Sequence, residues 1–268
     1  MQYPSLFEFA YHCLMQDSPS LKVDMSYSVE QQWLLKALDN QNPYPIHSVE
    51  DPGRPVKPLL VALKDLPKRS QANVERHAAF IHALVHIEFN AINLAWDAVY
   101  RFQAMPRQYY SDWINVAKEE AYHFSILNEY LQSLGYAYGD FVAHDGLWRM
   151  AVDTAHDPLI RMALVPRVME ARGLDVTPNM IQQLRRENFQ QAADLLEIIY
   201  HDEVGHVNVG SHWFRYLCKQ QQLEPHTTFK QLIHTYAQGR LRKPINKQAR
   251  QQAGFDDFEI AYLETVME

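Results

Sequence analysis

The sequence predicts an all-α fold, in which a four-helix bundle carries an N-terminal arm and additional C-terminal helices. Four segments show apolar residues in steps of three and four, a spacing typical of the buried face of a packed helix. Each of these four stripes also carries a Glu where an apolar side chain is expected, and two of them add a His one turn later. Only 9 of 268 residues are Gly and 47% are hydrophobic, which suits a helical chain with a sizeable core.

The anomaly in these stripes is that ionisable side chains occupy their centres. The stripes comprise Ile81, Val85, Glu88, Ile92, Ala95, Val99 and Phe102; Trp113, Val116, Glu120, His123, Leu127, Tyr130 and Leu134; Leu159, Ala163, Pro166 and Glu170; and Ala192, Leu196, Ile199, Glu203, His206, Gly210, Trp213 and Leu217. A buried carboxylate without compensation is costly, by several kcal/mol or more. Metal ions are therefore the expected compensation.

The spacing of these residues is more informative than the Glu-x-x-His motif itself. With 16 Glu and 13 His in the chain, about one such motif is expected by chance, and two are found. Glu88 and Glu120 are 32 residues apart, however, and Glu170 and Glu203 are 33 apart, so that the two halves repeat at a shift of 82 to 83. A duplicated helix pair about a pseudo-two-fold axis would give this pattern.

The order of elements follows from cap and breaker residues. We expect short helices at 5–16 and 27–40, and then a Pro-rich arm at 41–69 that packs over the bundle to cover Leu59, Leu60, Val61 and Leu63. The alternative for the arm is a disordered linker. Bundle helices are predicted at 71–104 and 107–134, with a further short helix at 144–155. The domains are thus 1–70, 71–221 and 222–268.

Proline and glycine define the second half of the predicted bundle. Asp157 and Pro158 begin a helix that Pro166 kinks and Gly173 ends. Thr177 and Pro178 begin the next helix by the same logic. That helix breaks near Asn188, and the last bundle helix continues to about 220. Two or three short helices follow in 225–268.

Composition argues against several classes of protein. The net charge of −7 and the pI of about 6.0 disfavour nucleic-acid and anionic-membrane partners. There is no basic leader and no uncharged apolar run of about 20 residues, so we expect a cytoplasmic protein without a membrane span. Cys13 and Cys218 are the two cysteines. They cannot form a four-thiolate iron site, and the electron donor of a redox reaction would be external.

The predicted ligand set suits iron first and manganese second. Carboxylates with one imidazole per ion favour these metals over zinc, which prefers His and Cys in a tetrahedron. In our assignment Glu120 and Glu203 bridge two ions, Glu88 and His123 complete one, and Glu170 and His206 complete the other. Four carboxylates neutralise two divalent ions, which removes the penalty of burying either set alone.

Several neighbouring residues have candidate supporting roles. Ligand histidines usually donate their second N–H to a carboxylate, and we predict the pairs Asp202 with His123 and Glu119 with His206. The alternative for Glu119 is an ordinary surface position. Tyr122 and Tyr200 are expected to fill the core, with a hydrogen bond to a ligand or a redox role as the alternative. Four further histidines are expected to be structural: His82, His86, His201 and His212.

These residues resemble the ferritin-like superfamily of di-metal carboxylate proteins, and within it a bacterial family labelled as a domain of unknown function. The family-like stretches are PGRPVKP at 52–58, HALVHIEFNAINLAWDAVYRF at 82–102, EEAYHF at 119–124, YGDFVAHDGLW at 138–148, RMALVPRVMEARGLDVTP at 161–178 and DEVGHVNVGSHWF at 202–214. The resemblance implies a ferritin-like bundle and the same six ligands. It implies no substrate.

Four candidate functions are compatible with this set of residues. The first is an oxidoreductase that activates dioxygen or peroxide toward a small-molecule substrate. The second is a non-enzymatic protein in which the metal site stabilises the bundle. A tRNA hydroxylase-like enzyme is a further alternative, although the acidic balance argues against its basic patch. Ferritin-type storage ranks last because the arm and the C-terminal helices would obstruct a shell; a homodimer is the oligomeric state considered.

Overall fold

The computed structural model describes residues 5–35, 38–66, 74–237 and 241–267, and it is all-helical, as predicted. The α-helices are α1 Leu6–Leu14, α2 Pro19–Leu34, α3 Val74–Arg101, α4 Arg107–Ser133, α5 Gly146–Asp153, α6 Pro158–Leu164, α7 Ala171–Arg186, α8 Gln190–Gln220, α9 Pro225–Leu232, α10 Lys247–Gln252 and α11 Asp257–Val266. Two π-helical segments, Val165–Glu170 and Ile233–Ala237, and a 3₁₀ turn, Leu63–Asp65, complete the set. The chain divides into two compact units, Met1–Val152 and Asp153–Glu268.

In the first unit, the long helices α3 and α4 pack along one another, while α1 covers α3 and α2 covers α4. The apolar faces predicted from the stripes are the buried ones, and large aromatic side chains such as Trp96, Trp113 and Tyr109 are fully enclosed. Burial of such rings contributes a large share of the stability of a helical core. The predicted first bundle helix is α3, apart from residues 71–73, which lie outside the described part of the chain.

The arm is held by hydrogen bonds from buried side chains. The Lys22 ammonium of α2 donates to the carbonyl oxygens of Leu14 (3.0 Å) and Gly53 (2.8 Å), and it also contacts Asn93 Oδ1 of α3. A Cβ at Gly53 would lie 2.1 Å from the backbone of Met15, so only glycine allows this approach. The first helix, the arm and α3 therefore meet around one ammonium group.

One reason for predicting that the arm packs was wrong. The side chains of Leu59 and Leu63 are exposed, at 61% and 69%, rather than covered. The arm is held there by its backbone instead, because Val61 N donates to Ala143 O and Ala143 N donates to Leu59 O. Backbone pairing does not require the side chains of the paired segment to be buried.

In the second unit, α6, the π-helical segment Val165–Glu170 and α7 form one continuous rod that packs on α8. The predicted cap of Asp157 is present, since its carboxylate accepts from Leu159 N at 2.7 Å. Pro166, where the sequence predicts a kink, lies inside this helical run and within its π-helical segment. Its ring packs on Gly210 of α8, where an added Cβ would lie 2.3 Å from Pro166 Cγ.

The predicted helix end at Gly173 and the predicted helix start at Thr177 and Pro178 are both wrong. Helix α7 runs through all three positions to Arg186. Pro178 has no N–H to donate to the carbonyl four residues earlier. That carbonyl, of Leu174, accepts instead from the side-chain amide of Asn246 at 3.2 Å. A residue 72 positions away thus replaces the missing donor, and the helix continues.

The break near Asn188 is confirmed. Asn188 has φ of 64°, in the left-handed region that ends helices, and α8 begins two residues later and ends at Gln220. The tail contains α9, α10 and α11, in agreement with the two or three helices expected. Helix α11 begins with a reciprocal capping box between Asp256 and Glu259.

Helix α3 is the one described helix whose length and composition would allow it to cross a membrane. The mean hydropathy of its apolar window is 1.3, but 72% of that window is buried within the protein. A buried core helix passes the same test, so its composition is weak evidence for a span.

Candidate metal centre

Three predicted ligands meet in the first unit. Glu88 of α3 and the pair Glu120 and His123 of α4 each offer one ligand atom, and these atoms all lie within 4.8 Å of one another. Glu120 and His123 are one turn apart and share the face of α4 that packs against α3. All three side chains are buried, with Glu120 and His123 at 0% exposure and Glu88 at 4%. A carboxylate–imidazole cluster is therefore buried in the interface between α3 and α4.

The electrostatics of this cluster are those of charges removed from water. Burial raises the pKa of Glu88 well above its usual range, His123 opposes the rise, and the neighbouring Glu120 adds to it. Burial disfavours the charged form of His123. The nearby carboxylates outweigh it and raise the pKa of His123 to about 11. Its Nδ1 lies 3.4 Å from Glu120 Oε2 and 3.7 Å from Glu88 Oε2. Without a metal, the cluster therefore favours a proton on His123 and the protonated form of Glu88.

The donor set of this cluster fits a divalent cation. Glu88 Oε2 is buried and accepts no hydrogen bond within the described part of the protein. A buried carboxylate oxygen without a donor is costly, and a cation within ligand distance would remove that cost. Two carboxylates with one imidazole are the ligands that iron and manganese accept. The cluster could therefore bind a metal ion.

The second unit contains the other predicted ligands. Glu203 and His206 lie one turn apart on α8, with Glu203 Oε1 3.7 Å from His206 Nδ1. The His206 side chain is buried at 1% exposure, and Glu203 retains 14%. Glu170 is the last residue of the π-helical segment and is half-buried. The Glu-x-x-His geometry of α4 is thus repeated on α8.

The supporting residues differ in how far the structure describes them. Asp202 lies 3.4 Å from the ring of His201, and Glu119 accepts from Asn115 at 2.9 Å. Their predicted pairing with the ligand histidines stays a prediction. Tyr122 does not fill the core as expected, because it is 42% exposed.

Other residues are held by side-chain hydrogen bonds. The half-buried Tyr200 hydroxyl accepts from Asn246 at 3.0 Å. His82 and His86 are structural, as predicted. Gly139 N donates to His82 Nε2 at 2.9 Å, and the two ring nitrogens of His86 contact Tyr138 Oη and His144 O.

The sequence analysis did not single out the residues that hold the ligand-bearing helices of the second unit. Arg167 pairs with Glu259 across 92 positions, and Asn246 supplies the donor for Leu174 across 72. Neither pair has a local signature, since each depends on how distant segments pack. One signal in the sequence could have indicated the first pair: Arg167 lies next to Pro166 in the apolar stripe that leads to Glu170.

Comparison with known proteins identifies the family. A family model described as "Protein of unknown function (DUF455)" matches residues 15–261. An uncharacterized protein of Haemophilus influenzae is 49% identical over 216 residues, which cover 78% of this chain and 75% of that protein. No solved structure matches the chain significantly. The chain therefore belongs to the DUF455 family of proteins of unknown function.

Proposed function

We propose that this protein is a ferritin-like di-metal carboxylate oxidoreductase that uses iron, or manganese, to activate dioxygen or peroxide toward a small-molecule substrate. The observation that carries the proposal is the buried cluster of Glu88, Glu120 and His123, whose offered atoms lie within 4.8 Å of one another. Ordinary helix interfaces bury apolar residues at such positions. Two carboxylates and a histidine buried in a helix interface are the kind of ligand set that binds a cation.

The number of ions and the bundle topology come from the sequence pattern. Each half of the chain places a Glu on one long helix and Glu-x-x-His on the next, at a shift of 82 to 83 residues. That is the ligand set of ferritin-like di-iron and di-manganese bundles, with a Glu from each of two helices and Glu-x-x-His from each of the others. On this template we propose two ions per chain, with Glu120 and Glu203 as the bridging ligands.

The protein's own residues would bind the ions, exclude water and exchange a proton. When bound, two reduced ions would supply the electrons that dioxygen or peroxide accepts. His123 must release its proton before Nδ1 can bind a cation, since only the neutral imidazole is a ligand. Glu88 must be ionised for the same reason. The cluster thus exchanges protons for metal, and the apolar packing around it keeps water from the ligands.

The test is anaerobic loading with Fe(II), followed by metal analysis and then by oxygen consumption on exposure to air. We expect about two ions per chain, and oxygen uptake faster than that of the same Fe(II) in buffer. Glu120→Ala should bind neither ion. Glu129→Ala, which removes an exposed carboxylate from the same helix, should behave as the wild type. Absence of bound metal in the wild type would refute the proposal.

A non-enzymatic metal site is the second candidate, and burial is the observation that favours it. Glu120 and His123 are fully enclosed, so a small-molecule substrate could reach these two side chains only if the surrounding helices moved. A stabilising site would bind the ions and raise the melting temperature, but it would not consume oxygen. The same loading experiment therefore separates the two candidates.

A further inference from the structure

We infer that Glu259 of the C-terminal helix is a positioning residue, which acts through Arg167 to hold the π-helical segment that carries Glu170. The role of Glu170 as a ligand rests on the function proposed above. The contacts that lead from Glu259 through Arg167 to the π-helical segment, which we call the tether, all lie within the second unit. Through the tether, helix α11 helps to hold the segment that carries Glu170 in place.

The π-helical segment Val165–Glu170 is the part of this helical run that depends most on contacts with other residues for its stability. A π turn holds one residue more than an α turn and is rarely stable by itself; such turns occur mostly at functional sites. Pro166 adds to the cost because it cannot donate a backbone hydrogen bond. The turn also decides the direction of Glu170, because the extra residue rotates every side chain that follows it relative to a regular α-helix.

Arg167 lies in the middle of this segment and is completely buried. Its Nη2 donates to Glu259 Oε1 at 2.6 Å, and its Nε donates to Ser211 Oγ of α8 at 3.2 Å. Three aromatic rings surround the guanidinium, with centroids at 4.7, 4.4 and 4.4 Å for Phe214, Phe229 and Phe255. Rings attract a cation but offer no counter-charge. The charge of Arg167 is therefore balanced by Glu259.

Glu259 connects the two ligand-bearing elements of this unit. It is 1% exposed, and its Oε2 accepts from Arg215 Nη2 of α8 at 3.1 Å and from Asp256 N in the capping box at 3.2 Å. One carboxylate thus binds the π segment through Arg167 and α8 through Arg215. Helix α8 carries Glu203 and His206, and the π segment carries Glu170.

Neutralising this carboxylate should disturb the π segment specifically. A guanidinium left in the aromatic pocket without its counter-charge is strongly destabilised. The side chain can relieve this by moving toward water, and it then displaces the backbone three residues before Glu170. Residues that orient metal ligands typically change metal affinity by about 10- to 100-fold when they are altered.

The experiment compares Glu259→Gln with Glu264→Gln in the full chain. Glu264 lies on the same helix and forms an exposed ion pair with Lys247 at 2.8 Å, so it is a matched control. Backbone hydrogen exchange of the metal-free protein reports on the π segment. Mn²⁺ titration reports on the ligands. We expect Glu259→Gln to accelerate exchange across Val165–Glu170 about tenfold or more, with α3 unchanged, and to weaken Mn²⁺ binding by about 10- to 100-fold.

Glu264→Gln should change neither quantity. Glu259→Asp keeps the charge, so its exchange rate and Mn²⁺ affinity should lie between those of the wild type and those of Glu259→Gln. If Glu259→Gln does not fold, Glu259→Asp is compared with Glu264→Gln instead. Equal exchange in the Glu259 and Glu264 variants, or uniform acceleration throughout the second unit, would overturn the inference. A wild-type protein that binds no Mn²⁺ would instead refute the metal proposal, while the exchange data would still test the tether.

Discussion

The two units carry the same pattern of candidate ligands on different backbones. In the first, α3 is an unbroken helix of 28 residues that packs on α4, and Glu88 is buried near Glu120 and His123 of α4. In the second, the equivalent rod is interrupted by a π turn at Glu170, and its support comes from the C-terminal helices. A ligand on a regular helix is positioned by its own helix, whereas a ligand on an irregular turn needs distant residues. Substitutions should therefore act locally in the first unit and at long range in the second.

The largest expected effect comes from removing the carboxylates of α4 and α8. Glu120→Ala or Glu203→Ala should abolish binding of both ions, because each is assigned as a bridge. Glu88→Ala or Glu170→Ala should weaken mainly one ion, so that the bound metal falls from about two to about one per chain. Metal titration measures the number of bound ions per chain and the affinity of each ion. Similar losses in all four variants would mean that the assignment of bridging and terminal ligands is wrong.

The contact of Pro166 with Gly210 gives a smaller effect, confined to the second unit. Gly210→Ala should lower the free energy of unfolding by about 1–3 kcal/mol, since its Cβ would overlap the proline ring. Gly205→Ala is the matched control on the same helix. Nothing lies within 4 Å of its added Cβ, and alanine should raise the free energy by up to about 1 kcal/mol. Urea unfolding that shows the same change for both variants would contradict the close packing of the π segment on α8.

The smallest expected effect concerns pH and arises in the first unit. The pKa of His123 is raised from 6.5 to about 11 in the folded protein. Its contribution to stability is therefore complete below pH 6.5 and declines as the pH rises toward 11. The raised pKa of Glu88 has the same sign, because folding then favours its protonated form. The metal-free protein should lose stability between pH 5.5 and pH 8.

Bound metal should reverse this dependence, because it replaces the proton on the ligands. The rise in melting temperature on adding Mn²⁺ should thus be larger at pH 8 than at pH 5.5, by a few degrees for each kcal/mol. Thermal scans with metal and with chelator at both pH values measure it. Glu120→Ala should show no metal effect. Four identical curves for the wild type would remove the physical basis of the proposed site.

Sequence patterns predicted whatever depends on neighbours along the chain. The stripes located α3, α4 and α8, and the Asp157 cap located the start of α6, because apolar periodicity and caps act within a few residues. The same reasoning failed at Pro178, where the signature is like that at Pro158. There Asn246 supplies a donor to Leu174, and no local pattern encodes that contact. The pairing of Arg167 with Glu259 was hidden for the same reason.

The hydrogen bond from Asn246 to Leu174 also bears on how the chain is made. The N-terminal part of a protein is synthesised first, and each domain folds as a unit once its residues are available. Helix α7 leaves the ribosome 72 residues before the side chain that completes its hydrogen bonding. The contact of Lys22 with Asn93 spans a similar separation of 71 positions, but both residues precede α7 in the chain. The hydrogen bonding of α7 is thus completed only after Asn246 has been synthesised.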